Sequence, residues 1–221
     1  MKAGFIAVVG RPNVGKSTLI NLIPRFYDVS SGSIKINGKD IRDYDVLELR
    51  DKLGVIPQKA VLFSGTIADN IRFGKKDASD EEVEYAAKVA QAYPFIMEKE
   101  NGFDEEISEG ATNVSGGQKQ RLSIARALVR KAQIYIFDDS FSALDFKTDA
   151  ILRKELKKEM TESIMLVVAQ RISSIMEADQ IIVLNEGKVV GKGTHHQLLK
   201  ECQIYHEIAT SQLSEEELAN A

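Results

Sequence analysis

Residues 10–18, Gly-Arg-Pro-Asn-Val-Gly-Lys-Ser-Thr, place glycines on either side of a short loop, followed at once by a lysine and two hydroxyls. Gly10 and Gly15 let backbone N–H groups turn inward around an anion. Lys16 offers a point charge to β- and γ-phosphates, and the Ser17 hydroxyl is a hard oxygen ligand of the kind Mg2+ takes. Asn13, Val14 and Thr18 complete the candidate phosphate-binding set. Two further clusters suit the same chemistry. The run Ile134–Phe137 ends in Asp138 and Asp139. At the C-terminal edge of a sheet, beside a phosphate loop, Asp138 suits Mg2+ coordination through water, and Asp139 suits polarising an attacking water. Ser115 stands before Gly116, Gly117 and Gln118 at a helix start. That spacing alone fits an ordinary helix cap as well as a second anion site.

The elements that must position these residues read as alternating strands and helices. Phe5–Val9 is an unbroken apolar run, as in a strand buried on both faces of a parallel sheet. The loop then opens a helix expected from Lys16 to about Tyr27. Ser33–Asn37 alternates, and Asn37-Gly38 signals a hairpin. A short helix is expected over 45–53 and a strand over 54–57. A helical pattern over 77–100 has Asp77 or Ser79 as cap, and a polar connector over 101–113 precedes the helix capped by Ser115. Strands at 134–137, 164–168 and 180–184 and closing helices follow. The expected fold is α/β, of the P-loop NTPase kind, with a mostly parallel central sheet flanked by helices. Residues 66–130 read as a helical subdomain, 131–212 as the remaining core and 213–221 as a frayed tail.

Composition bounds the partners. The chain has 221 residues, 43% hydrophobic and 28% charged, with net charge -4 and the single cysteine Cys202. The mild acidity argues against a nucleic-acid partner. One cysteine points to a reducing, cytoplasmic setting. No apolar run approaches the roughly 18 residues of a membrane-spanning helix. His195, His196 and His206 read as solvated rather than metal-binding. Lys119, Arg121, Arg126, Arg130 and Lys131 read as the polar face of a helix. Phe63, Ile67, Ile71 and Phe73 suit either an exposed interface or the core.

From Asn21 to Gln212 the chain resembles the nucleotide-binding domain of an ATP-binding-cassette (ABC) exporter. Gln58 in Val-Ile-Pro-Gln resembles that family's Q-loop, and Asn113–Gln118 its signature motif. Ile134–Asp139 resembles the Walker B strand, Ser142–Asp145 the D-loop, and Val167–Arg171 the H-loop. The resemblance implies ATP and Mg2+ as ligands, with Ser17, Gln58 and Asp138 around the metal. It implies catalytic roles for Asp139, Gln58 and Gln170, and a head-to-tail dimer. In such a dimer Ser115, Gly117 and Gln118 meet a nucleotide held mainly by the other chain. It also implies a transmembrane partner that lies outside these 221 residues.

Three departures from that family stand out. Asp139 occupies the place of a catalytic Glu, one methylene short, and Gln170 that of a His, so hydrolysis is expected to be weak. This pair resembles the degenerate subunit of heterodimeric ABC exporters. Only nine residues precede the phosphate loop, where the family carries an antiparallel β-region with an adenine-stacking aromatic. Without it, ATP and GTP are expected to bind with similar, modest affinity. Finally, residues 1–20 resemble the phosphate-loop segment of Era-type GTPases, in which the Asn matching Asn13 can position K+. The expectation is an engineered chimera of that segment with an ABC body, with an ordinary truncated natural domain as the alternative. A true GTPase is disfavoured, since no guanine-recognition Asn-Lys-x-Asp is present.

Overall fold

The structure is a computed structural model that describes residues 3–12, 14–214 and 218. Asn13 and the acidic run 215–217 therefore lie outside the described residues. Strand β1 (Gly4–Gly10) leads through the phosphate loop into α1 (Lys16–Asn21). A hairpin of β2 (Lys35–Ile36) and β3 (Lys39–Asp40) turns at Asn37 and Gly38, both with positive φ (54° and 80°), the backbone that a tight Asn-Gly turn demands. Then come α2 (Val46–Asp51), capped by the Asp45 carboxylate, and β4 (Leu53–Ile56). Two-residue strand β5 (Gly65–Thr66) precedes α3 (Ile67–Arg72), α4 (Asp80–Val89) and α5 (Tyr93–Met97). It pairs with β6 (Glu106–Ile107), which lies inside the polar connector. Helix α6 (Gly116–Leu128), β7 (Ile134–Asp138), α7 (Phe146–Glu159) and β8 (Ile164–Val168) follow. The chain continues through β9 (Gln180–Asn185), β10 (Lys188–Gly193), α8 (His195–Glu201) and α9 (Gln203–Thr210).

The main sheet has the order β10-β9-β1-β8-β7-β4, with every pair parallel except β9 and β10. Side-chain alternation divides it into two apolar layers. Ala7, Val9, Tyr135, Phe137, Met165 and Val167 face one layer; Val8, Ile134, Ile136, Leu166 and Val168 face the other. Burial on both faces is why these strands read as continuous apolar runs. The α/β expectation with a mostly parallel sheet holds.

Two helices differ from the periodicity reading. Helix α1 ends at Asn21 rather than near Tyr27, because Pro24 has no N–H to give and Arg25 adopts φ 52°. The pattern over 77–100 divides into α4 and α5, parted by Gln91 at φ 56°, with Pro94 in the first turn of α5. Ser79, not Asp77, caps α4, in a reciprocal box with Glu82.

Candidate nucleotide-binding site

Four neighbouring parallel strands end at one edge of the sheet, and each delivers part of the site. The phosphate loop follows β1, Asp138 and Asp139 end β7, Gln170 follows β8, and Gln58 follows β4. Parallel pairing thus converges residues that are far apart in sequence, at the sheet edge where ligands of open α/β folds bind.

Gly10 has to be glycine: a Cβ there would sit 2.3 Å from the Leu184 carbonyl oxygen of β9. Gly15 takes a left-handed φ of 87° and turns the loop into α1. The Lys16 side chain is buried and folds back onto the loop, its Nζ donating to the carbonyls of Gly10 (2.7 Å) and Arg11 (2.8 Å). Burial pulls its ammonium below the ordinary lysine value, against the opposite pull of Asp139 and Asp138. The Ser17 hydroxyl donates to Asp138 Oδ1 at 2.8 Å. The proposed metal ligands are therefore already side by side, and an oxygen pair of this kind fits Mg2+, which binds through one or two protein oxygens plus phosphates and water. Val14 is half-buried and Thr18 exposed.

Asp139 is the centre of a second group. The Nε2 atoms of Gln58 and Gln170 both donate to its Oδ2, at 3.1 and 2.6 Å. Its backbone is left-handed (φ 48°), and its N–H donates to the Val168 carbonyl at 2.9 Å. Burial raises the carboxyl pKa above the usual aspartate value; the two amide donors oppose that rise, and the neighbouring Asp138 charge adds to it. A cleft of about 360 Å³ opens beside these groups, lined by Gly10, Arg11, Lys16, Gln170, Glu207 and Gln212. A roomier cavity of about 550 Å³ lies at the opposite, N-terminal edge of the strands, beside Tyr135 and Ser163, and contains none of the motif residues.

The signature residues stand apart as a helix start, with Ser115 and Gly116 exposed and Gly117 and Gln118 half-buried. Ser115 Oγ accepts from the Gln118 N–H (3.2 Å), and Gln118 Oε1 accepts from the Ser115 N–H (2.9 Å), a complete capping box. A Cβ on Gly117 would come within 3.3 Å of the Ala143 carbonyl, so this helix start lies against the loop after β7.

Several residues that hold the site were not singled out from sequence. Buried Gln120 on α6 donates to the Pro57 carbonyl at 3.2 Å, tying the signature helix to the segment that carries Gln58. Its signal was a polar residue on the apolar face of α6. Buried Ser140 donates to the Ile56 carbonyl at 2.9 Å, and nothing in its spacing announces that. Gln212 reaches the loop of Gln170 from the end of α9. Other expectations are corrected. His195 is buried rather than solvated, whereas His196 is exposed. Arg121 and Arg126 are half-buried, with Arg121 Nη1 donating to the Gln91 carbonyl (2.8 Å) and Arg126 Nε to that of Asn70 (2.8 Å), so they are not a free polar face. Ile67 and Ile71 belong to the core, while Phe63 and Phe73 are exposed. No cluster of three or more His, Cys, Asp or Glu side chains suited to a metal occurs among the described residues.

A strand–loop–helix phosphate cradle, a carboxylate pair at the end of β7, one strand removed from β1, and a glycine-rich capped helix define a P-loop nucleotide-binding fold. The family model described as ABC transporter matches residues 2–142, and the chain belongs to that family. An uncharacterized ABC transporter ATP-binding protein of Bacillus subtilis, YfiB, is 46% identical over 211 residues, covering 96% of this chain and 36% of that protein. A putative multidrug export ATP-binding/permease protein of Staphylococcus aureus is 44% identical over 211 residues, with the same coverage of 96% and 36%. The ATP-bound structure of a bacterial Atm1-family ABC exporter superposes with a TM-score of 0.93 at 38% identity, covering 97% of this chain and 38% of that one. The chain thus spans little more than a third of the length of these relatives. Because the family match begins at residue 2, it includes the opening strand and phosphate loop, and it lends no support to a separate GTPase origin for residues 1–20.

Proposed function

We propose that this chain binds Mg-ATP at the phosphate loop and hydrolyses it slowly, as the nucleotide-binding domain of an exporter. The observation that carries the reading is the convergence of Gln58 and Gln170, from loops after different strands, on one oxygen of Asp139, beside the Ser17–Asp138 pair. In this account Gly10–Thr18 wrap the phosphates, and Lys16 exchanges its loop carbonyls for phosphate oxygens. Ser17 and Asp138 hold the metal, with Gln58 alongside. Bound Mg2+ neutralises charge on the phosphate oxygens during phosphoryl transfer. Asp139 takes the proton of an attacking water, held in place by the two amides. Turnover is slow because the Asp139 carboxylate is short and Gln170 stays neutral. Binding without any turnover is the second reading, favoured by the same two residues.

The helix start at Ser115 and Gly116, which is exposed, with Gly117 and Gln118 half-buried behind it, supports a head-to-tail partner chain that would complete the site. The exposed pair Phe63 and Phe73, with ring centroids 4.5 Å apart and Arg126 over both, supports contact with a transmembrane domain. Relatives named as export ATP-binding/permease proteins support the same setting. A phosphate-release assay compares wild type with Lys16→Ala. Slow release that disappears in the variant is expected; equal release from both proteins would remove the enzyme reading.

A further inference from the structure

The loop carrying Gln170 lies between β8 and the helical turn Ile172–Ser174. On its β8 side the Ala169 N–H donates to the Val8 carbonyl at 3.2 Å. On its other side a single carboxamide grips it twice. Gln212 Nε2 donates to the Gln170 carbonyl at 2.9 Å, and Gln212 Oε1 accepts from the Ile172 N–H at 2.8 Å. One planar group with both a donor and an acceptor thus sets the spacing of two backbone groups that flank Arg171. Gln212 is itself well anchored. Its N–H and that of Leu213 both reach the Ala209 carbonyl, at 3.0 and 2.9 Å, and Leu213 is buried in the apolar layer. Helix α9 therefore fixes the backbone from which the Gln170 side chain reaches Asp139 at 2.6 Å.

We infer that Gln212 is a positioning residue for hydrolysis, clamping the loop so that Gln170 meets Asp139. This rests on reading the site as an ATP-hydrolysing centre. A salt bridge from α9 to the phosphate loop, Arg11 to Glu207 at 2.7 Å, is exposed on both sides and contributes little to the clamp.

The test compares wild type, Gln212→Ala, Gln212→Glu, Gln170→Ala and the double variant Gln170→Ala/Gln212→Ala. Amide hydrogen exchange at Ile172, measured without nucleotide, is expected to quicken about tenfold or more in Gln212→Ala, which loses the acceptor. It is expected to stay slow in Gln212→Glu, which keeps an acceptor oxygen and loses only the donor to Gln170. Steady-state kinetics are expected to show kcat about tenfold lower in both single Gln212 variants, with KM for Mg-ATP within about twofold. On the Gln170→Ala background, Gln212→Ala is expected to cause no further loss, because both changes act through one side chain. Unchanged Ile172 exchange in Gln212→Ala, an unchanged kcat, or losses that multiply in the double variant would each overturn the positioning role. A wild type without Lys16-dependent phosphate release would overturn the hydrolysis reading and with it a catalytic purpose for the clamp. The exchange arm would then still decide whether the clamp exists.

Discussion

Asp139 combines a left-handed backbone, a buried carboxylate and two amide donors on the same oxygen. A non-glycine residue in that backbone region costs of order 1–3 kcal/mol and persists where the surroundings over-determine it. Here they do: its N–H is held by β8 and its side chain by Gln58 and Gln170. Burial holds its folded-state pKa above the unfolded value near 3.8. A raised pKa contributes stability that is fully present below the unfolded value and is lost as pH rises through the folded one. At neutral pH the ionised carboxylate therefore burdens the fold. Asp139→Asn is expected to melt at a higher temperature than wild type at pH 7, with the difference shrinking as pH falls toward 4. The same variant is expected to lower phosphate release by about 10²-fold or more, since a positioned base supplies that much. Scanning calorimetry across pH and a release assay check the two halves separately.

At the scale of elements, α8 and α9 show how a closing helical pair becomes part of the site. His195 is buried on α8, and its Nδ1 lies 2.7 Å from the Tyr205 hydroxyl of α9. Burial first, and then the neighbouring His196, lower the His195 pKa from its ordinary 6.5. A depressed histidine contributes stability that is present above the unfolded pKa and lost as pH falls through the folded one. Wild type is expected to lose melting temperature below about pH 6.5, and His195→Asn to show a flatter pH dependence. Each kcal/mol shifts Tm by roughly 2–4 °C at this chain length, which calorimetry resolves; parallel slopes in the two proteins would remove the role of His195. Adjacent histidines at a helix start carry no sequence mark of which one turns inward. The packing of α8 under β10 and against Tyr205 decides it. The same limit applies to α1, whose apolar spacing runs on past Asn21 although Pro24 and Arg25 end the helix. The signature helix was easier to read, because Ser115 and Gln118 are a local capping box and need no tertiary partner.

For the molecule as a whole, the phosphate loop and the carboxylate pair were legible because each is a contiguous run at a strand end. Their convergence on one sheet edge followed from the parallel fold that the apolar runs implied. What could not be read were the long-range braces, Gln120 on Pro57, Ser140 on Ile56 and Gln212 on the loop of Gln170, since each depends on which backbone carbonyl tertiary packing brings near. Among the described residues no helix is long and apolar enough to cross a membrane. Phe63, Phe73, Ser115 and Gly116 are exposed. Under the proposed function residues 10–18 bind a nucleoside triphosphate through Lys16. Calorimetric titration of Mg-ATP into wild type and Lys16→Ala measures that binding. Saturable binding is expected in wild type, weakened at least about tenfold, or 1.4 kcal/mol, in the variant. Equal affinity in the two proteins, or no binding heat in wild type, would contradict it.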